Sequence, residues 1–442
     1  MSQDLKNIVE KTLESARKYG AQEAFVSMSK SVNTSAKWRA KKVESLTSKG
    51  ASSLSVDLYV DGRYSSHSTS DLRPDSIDAF IKRGIDMTRI LEPDEFRGLA
   101  DPSTYEGRTT ADLKQFDPAV EKMTPDDLIA IARELEDAAA AHSEAPIQDI
   151  SSSATSSRTD VCSMSSNGFF GERKKTTTAN EVEVVLKSED GKLPSDYGFS
   201  VGCHCADLLD AKRLADDAVR RAMRQLGQIK LPTKNRTVLL DNRMSGQFMA
   251  NFIDPIMGRA IDQKQSYFLD GIGKSFGSSL LTLVNMPHIP GALNSRAYDG
   301  EGMATKDRIL LEGGILKEYC LSNYYARKLK CDVTSAMLTN IVMPEAKNGI
   351  SQEDMIKSID DGILITDLLG GNKDAVRGDF SYGFIGIAIE KGELTTPVSE
   401  MNINGNFNTF WNRLSAIGND VFLYSNFMTP SLRIDDVALT GA

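Results

Sequence analysis

Ser53-Leu54-Ser55-Val56-Asp57-Leu58-Tyr59-Val60-Asp61-Gly62-Arg63 is the stretch that decides the fold. Leu54, Val56, Leu58 and Val60 recur every second residue, the period at which a strand sends alternate side chains to one face. Asp61-Gly62 supplies a tight turn, since Asp and Gly accept the backbone conformations that a two-residue hairpin needs. The chain is expected to return through Arg63 to Thr69 as an antiparallel partner, and Phe25 to Met28 reads as another strand. Leu5, Ile8, Val9, Leu13 and Ala16 lie at helical spacing and stop at Gly20. Ile77, Phe80, Ile81, Ile85 and Thr88 make a second amphipathic helix between Pro74 and Pro93. Residues 1–95 therefore form an N-terminal α+β region.

Outward from this region, the pattern dissolves over 96–123, where Pro102 and Pro118 punctuate a polar segment that reads as a linker. A central α+β region, 124–230, opens on Thr124-Pro125, a hydroxyl cap followed by proline at the first helical position. Leu128, Ile131, Ala132 and Leu135 continue that helix. The serine-rich run Ser151 to Ser157 leads to Asn167-Gly168 and reads as a polar, half-exposed strand with a hairpin turn. Glu181 to Leu186 and Phe199 to Cys205 follow as strands, and a helix from Ala211 to Leu226 closes at Gly227. The third region, 231–442, is β-rich. Gly383 to Glu390 with Lys391-Gly392 and Ser431 to Leu439 are examples of its short strands and turns. Hairpin-connected strands with interspersed helices predict an α+β fold of mostly antiparallel sheets with flanking helices, in three regions.

Composition narrows the function. The 442 residues carry 52 Lys+Arg against 61 Asp+Glu, a net charge of −9, which disfavours direct nucleic-acid binding. Two basic spots, Arg39/Lys41/Lys42 and Arg173/Lys174/Lys175, are short enough to read as solvated turns or strand edges. Five scattered cysteines suit a reducing compartment. With no apolar signal core at Met1 to Lys6 and no apolar run of membrane length, a cytoplasmic location is expected.

Local motifs add little chemistry. Gly198-Phe199-Ser200-Val201-Gly202 spells the nucleophile-elbow string, but a strand is expected to continue through Cys205 where the elbow needs a helix. Cys203-His204-Cys205 places its two thiols on one strand face and the imidazole on the other, short of a four-ligand zinc site. Gly273-Lys274-Ser275 ends like a phosphate loop, yet Phe268 stands where the first glycine belongs. Asp299/Glu301, Asp360/Asp361 and Asp435/Asp436 read as solvated acids with no catalytic role.

The order and spacing of several segments carry a resemblance. They include Asp299-Gly300-Glu301-Gly302, Gly378-Asp379-Phe380-Ser381-Tyr382-Gly383, Pro397-Val398-Ser399-Glu400, Gly405-Asn406 and Ile417-Gly418-Asn419-Asp420. Together they resemble the TldD/PmbA family, on its PmbA (TldE) side. The resemblance implies a cytoplasmic peptidase-related protein acting on unfolded peptides, with an older label of modulator of DNA gyrase. TldD-like members hold zinc through an HExxxH helix and a later cysteine, and PmbA-like members pair with them. Laid on Val238-Leu239-Leu240, the motif falls on Ala250-Asn251-Phe252-Ile253-Asp254-Pro255: Ala250, Asn251 and Pro255 stand where His, Glu and His belong. No cysteine follows Cys331. The expectation is no metal and no catalytic residue in this chain, with zinc in a TldD-like partner of a heterodimer, or a homodimer. Gly378, Asp379, Ser381, Tyr382, Asn406 and Asn419 are the candidates for peptide or partner contact, with core turns as the preferred competing reading. A stand-alone hydrolase with unconventional ligands and a protein-binding modulator of gyrase are the alternatives.

Overall fold

The computed structural model describes residues 3–441. The first sheet contains β1 (Glu23–Arg39), β2 (Lys42–Val60), β3 (Arg63–Thr69), β4 (Ile147–Ser165), β5 (Phe170–Leu186) and β6 (Ser195–Gly202), in the order β3-β2-β1-β4-β5-β6. All neighbours are antiparallel. The deciding hairpin is present: Asp61 and Gly62 both take positive φ, and Val60 pairs with Arg63. Phe25–Met28 proves to be the start of a much longer strand. Its lower half turns at Ala40-Lys41, so the first basic spot is the tip of a hairpin.

β1 pairs with β4 from Phe25↔Ser165 to Arg39↔Ser151, so the N-terminal and central regions share one sheet. Its faces differ. Even-numbered residues such as Val26, Val56, Leu58 and Val184 are fully buried. They are covered by α1 (Gln3–Tyr19), α2 (Pro74–Thr88), α4 (Pro125–Ala140) and α5 (Ala211–Met223), while a short α3 (Pro118–Lys122) sits beside β4 and β5. Odd-numbered residues, among them Ser27, Ser53, Ser157 and Ser163, make a hydroxyl-rich face without helices. The segment 96–123, read as a linker, is a packed strap. Leu99, Ala100 and Tyr105 are buried in it, and its prolines start short helical turns capped by Asp101 and Asp117.

The third region holds β7 (Lys234–Leu240), α6 (Asn242–Ile253), β8 (Leu283–Asn285), β9 (Arg308–Glu312), β10 (Ile315–Leu316), β11 (Ile341–Val342), β12 (Asp361–Lys373), β13 (Asp379–Glu390), β14 (Glu393–Asn406), β15 (Leu414–Ile417), β16 (Phe427–Met428) and β17 (Leu432–Thr440). One sheet runs β14-β13-β12-β7-β17-β15, and an extra β14–β17 pairing curls it back on itself, with bulges supplying the curvature. Two pairings, β12–β7 and β11–β16, are parallel. The largest core fills this region around Phe248, Phe252, Phe407 and Trp411. Among the described residues no helix is long and apolar enough to cross a membrane.

Candidate functional site

The residues on which the motif is expected to fall, Ala250 to Pro255, occupy the last turn of α6 and the turn that follows it. β7 delivers the chain through the buried Val238, Leu239 and Leu240, and the Asp241 carboxylate caps the helix by accepting from the Arg243 amide at 3.0 Å. Phe248 and Phe252 turn into the core. Arg243, Gln247 and Ala250 turn outward into a cleft of about 340 Å³ between the central and third regions. The helix stops at Ile253, and Asp254–Ile256 form a 3-10 turn that includes Pro255. The Lys373 ammonium lies over this end, donating to Asp254 Oδ2 at 2.9 Å and the Asn251 carbonyl at 3.3 Å.

Aromatic rings line one wall of the cleft. Phe199 meets Phe422 at 5.6 Å and Tyr197 at 5.6 Å between centroids, and Arg243 stacks over Tyr197 at 4.5 Å. Arg243 also pairs with Asp217 at 3.4 Å. Behind them the buried Arg221 bridges Asp196 at 3.2 Å and Asp241 at 3.6 Å and donates to the Thr366 carbonyl at 3.0 Å. Asp367 also lines the cleft, and burial with Asp196 nearby pushes its carboxyl up.

No imidazole lines this cleft. His67 lies 2.7 Å from the Ser65 hydroxyl, His142 lies between Glu144 and Asp216, His204 lies 2.7 Å from the Lys114 carbonyl, and His288 lies 3.0 Å from the Thr305 hydroxyl. Among the described residues no group of three or more His, Cys, Asp or Glu is arranged to hold a metal. Zinc does not fit α6: Ala250 has no donor atom, and Pro255 is buried beyond the helix end. Cleft and helix offer aromatic rings, the Arg243 guanidinium, the Asp196 and Asp367 carboxylates and the Ser425 hydroxyl.

The other motifs are structural. Ser200 is buried in β6 and its hydroxyl accepts from the Leu209 amide at 3.2 Å, with no helix beginning there. β6 ends at Gly202, earlier than the expected Cys205. Cys203 is buried, and Cys205 lies in a 3-10 turn with its amide donating to Asp117 Oδ2 at 3.0 Å.

Three of the candidate contact residues come together. Asn406 Nδ2 donates to Asp379 Oδ1 at 2.7 Å and to the Arg377 carbonyl at 2.9 Å, while the Gly378 carbonyl accepts from the Phe407 amide at 2.8 Å. Gly378 has φ +88°, and a Cβ there would lie 2.7 Å from Asn408 Nδ2, so this clamp of two strand ends requires glycine. Ser381 lies on the sheet surface and donates to Asn404 Oδ1 at 2.7 Å. Tyr382 is a core residue against Phe248 and Phe380. Asn419 stands apart on an exposed loop, its amide donating to the Ile350 carbonyl at 3.1 Å.

Two features are not legible in the sequence. Asp299 and Glu301, expected as solvated acids, are enclosed where the third region meets the first sheet. Burial pushes both carboxyls up, Glu301 to about 7. The aromatic cleft is the other. The spacing of Tyr197 and Phe199 hints at one strand face, but nothing local links them to Phe422.

An open sheet joined to a curled, mostly antiparallel one is the α+β architecture of a metallopeptidase-related family. Three family models bear this out: PmbA/TldA metallopeptidase domain 1 matches residues 24–88, the central domain 118–226 and the C-terminal domain 233–441. The chain belongs to the PmbA/TldD family. Metalloprotease PmbA of Escherichia coli O157:H7 is 28% identical over 418 residues, covering 95% of this chain and 92% of that protein. A solved Bacteroides thetaiotaomicron structure, described as a modulator of DNA gyrase, is 36% identical with a TM-score of 0.95 and covers 100% of both chains. TldE of Thermococcus kodakarensis shares the fold at a TM-score of 0.86 and 17% identity, covering 98% of this chain and 100% of that one.

Proposed function

We propose that this chain is the PmbA/TldE-type subunit of a cytoplasmic two-chain metallopeptidase. It completes the chamber around zinc held by a TldD-like partner and handles unfolded peptides. The observation that carries the reading is α6, which presents Ala250 and Asn251 where the catalytic motif would place its ligand and base, and ends before Pro255. Without an imidazole there, zinc has no first ligand, and without zinc a bound water keeps its ordinary, unreactive acidity. The candidate contacts Gly378, Asp379, Ser381, Tyr382, Asn406 and Asn419 serve mainly to shape the ends of β13 and β14 and a nearby loop. Any contact with peptide or partner there would be made by the exposed Ser381, Asp379 and Asn419.

The test is metal analysis by mass spectrometry of the purified chain, alone and co-expressed with its TldD-like partner, with casein-type peptidase activity assayed on both. The expected result is no zinc and no activity alone, and about one zinc per pair with activity in the complex. Stoichiometric zinc and activity in the isolated chain would establish the stand-alone hydrolase instead.

A further inference from the structure

The second basic triplet, Arg173-Lys174-Lys175, is split by strand alternation. Lys174 faces Glu121 at 3.4 Å and the ring of Phe116 at 3.5 Å. Arg173 and Lys175 point to the hydroxyl-rich face, where the Lys175 ammonium donates to the Leu293 carbonyl. Among the described residues the Arg173 guanidinium has no hydrogen-bond acceptor and no carboxylate within ion-pair distance. Arg296 lines the same cavity, of about 340 Å³, from the third region. It is half-buried, and among the described residues its one side-chain hydrogen bond is to the Met337 sulfur, at 3.0 Å. Burial, then the neighbouring Arg173, brings Arg296 down to about 10. The Tyr298 hydroxyl is buried at the same place without a partner. Ser27 and Ser163, whose hydroxyls are 2.8 Å apart, line the sheet side.

Two carboxylates also reach the cavity; Asp299 offsets part of the charge on Arg296, and among the described residues neither carboxylate forms an ion pair with Arg173 or Arg296. Asp299 is committed to its own loop, accepting from the Ser335 hydroxyl at 2.6 Å and the Glu301 and Met303 amides at 2.9 and 3.0 Å. Asp57 is on β2, three strands across the sheet from Arg173, and accepts from the Tyr64 hydroxyl at 3.2 Å. Two guanidiniums confined in one cavity repel each other, and their planar forks match an oxyanion that accepts from both.

We propose that this cavity is an oxyanion site that takes a carboxylate or a phosphate between Arg173 and Arg296, with the Tyr298 hydroxyl as a further donor. The site joins the polar face of the first sheet to the 296–300 segment, so an anion bound there ties the third region to the sheet. Its donors all come from this chain.

Isothermal titration of the full chain in low-salt, phosphate-free buffer tests it, with three probes: inorganic phosphate, an N-acetylated tripeptide with a free C-terminal carboxylate, and the same tripeptide as its amide. The expected result is saturable binding of phosphate or of the free-carboxylate peptide, weakened at least about tenfold by Arg173→Gln and by Arg296→Gln. Preference for the free-carboxylate peptide over its amide assigns the site to a peptide terminus, and phosphate alone assigns it to a free anion. Thermal melting supplies a readout that a structural arginine pair would fail. In the anion-free buffer Arg173→Gln is expected to melt no lower than the parent, since it relieves repulsion, and to lose the rise in Tm that the bound anion produces. Arg173→Lys, which keeps the charge and loses the fork, is expected to bind more weakly than the parent. No saturable binding, binding that Arg173→Gln leaves unchanged, or a clear loss of Tm in that variant without anion would each overturn the proposal.

Discussion

Phe248 shows how one residue organises the third region. It is fully buried on the inner face of α6, with ring centroids 5.3 Å from Phe380, 5.7 Å from Phe407 and 5.8 Å from Trp411. Phe248→Ala would leave a cavity that three rigid rings close poorly, so a loss of about 3–5 kcal/mol in urea-induced unfolding is expected. Glu301 carries a charge-dependent effect. Its carboxyl is raised from 4.5 to about 7 by burial, with nearby Asp299 adding to the rise. The folded state therefore holds this proton more tightly than the unfolded chain does. The stabilisation, on the order of 3 kcal/mol, is complete below about pH 4.5 and is lost as pH rises through about 7. Glu301→Gln is expected to flatten that part of the stability-against-pH curve in a series of denaturant titrations; an unchanged slope between pH 5 and 8 would refute the assignment. Neither effect was legible locally. Asp-Gly-Glu-Gly reads as a solvated turn until the Tyr59 and Asn323 surroundings, hundreds of positions apart, enclose it.

Among the elements, α4 is the one whose sequence signal and structure agree most closely. Thr124 accepts from the Asp127 amide at 3.2 Å while Asp127 accepts from the Thr124 amide at 2.8 Å, a reciprocal capping box, and Pro125 occupies the first turn. Thr124→Ala is expected to cost about 1 kcal/mol, read from the midpoint of chemical unfolding. The same locality explains why hairpins at Asp61-Gly62 and Lys391-Gly392 were legible: turn geometry is set by two residues. Strand length was not. β1 runs on through Ser29 to Arg39, a largely polar stretch whose alternation is confined to Val32, Thr34, Ala36 and Trp38, because pairing with β2 and β4 on both sides supplies the hydrogen bonds that composition does not suggest. The segment 96–123 reads as a linker yet packs as a strap for a related reason. Its prolines mark helix starts as readily as linkers, and the contacts that pack Leu99 and Tyr105 come from distant chain.

At the scale of the whole molecule, Arg221 holds the central region to the third. Its guanidinium on α5 joins Asp196 on β6 to Asp241 at the start of α6 and to the Thr366 carbonyl on β12, with all three charged side chains largely buried. Arg221→Ala would leave two buried carboxylates without their cation, for an expected loss of about 3–5 kcal/mol. Calorimetry is expected to resolve separate transitions for the two regions in that variant, and a single sharpened transition at the parental temperature would contradict the coupling.

The sequence by itself determined what depends on few neighbouring residues: the helix caps, the tight turns, the α+β class and the absence of an HExxxH string. The string does not occur anywhere in the sequence, and no fold can supply an imidazole at Ala250. Tertiary structure alone decided which groups meet. Arg173 reads as a solvated charge until the third region places Arg296 in its cavity, and Glu301 reads as an ordinary acid until two regions exclude water from it. Desolvation and through-space charge depend on what surrounds a group in three dimensions, and spacing along the chain carries no record of them.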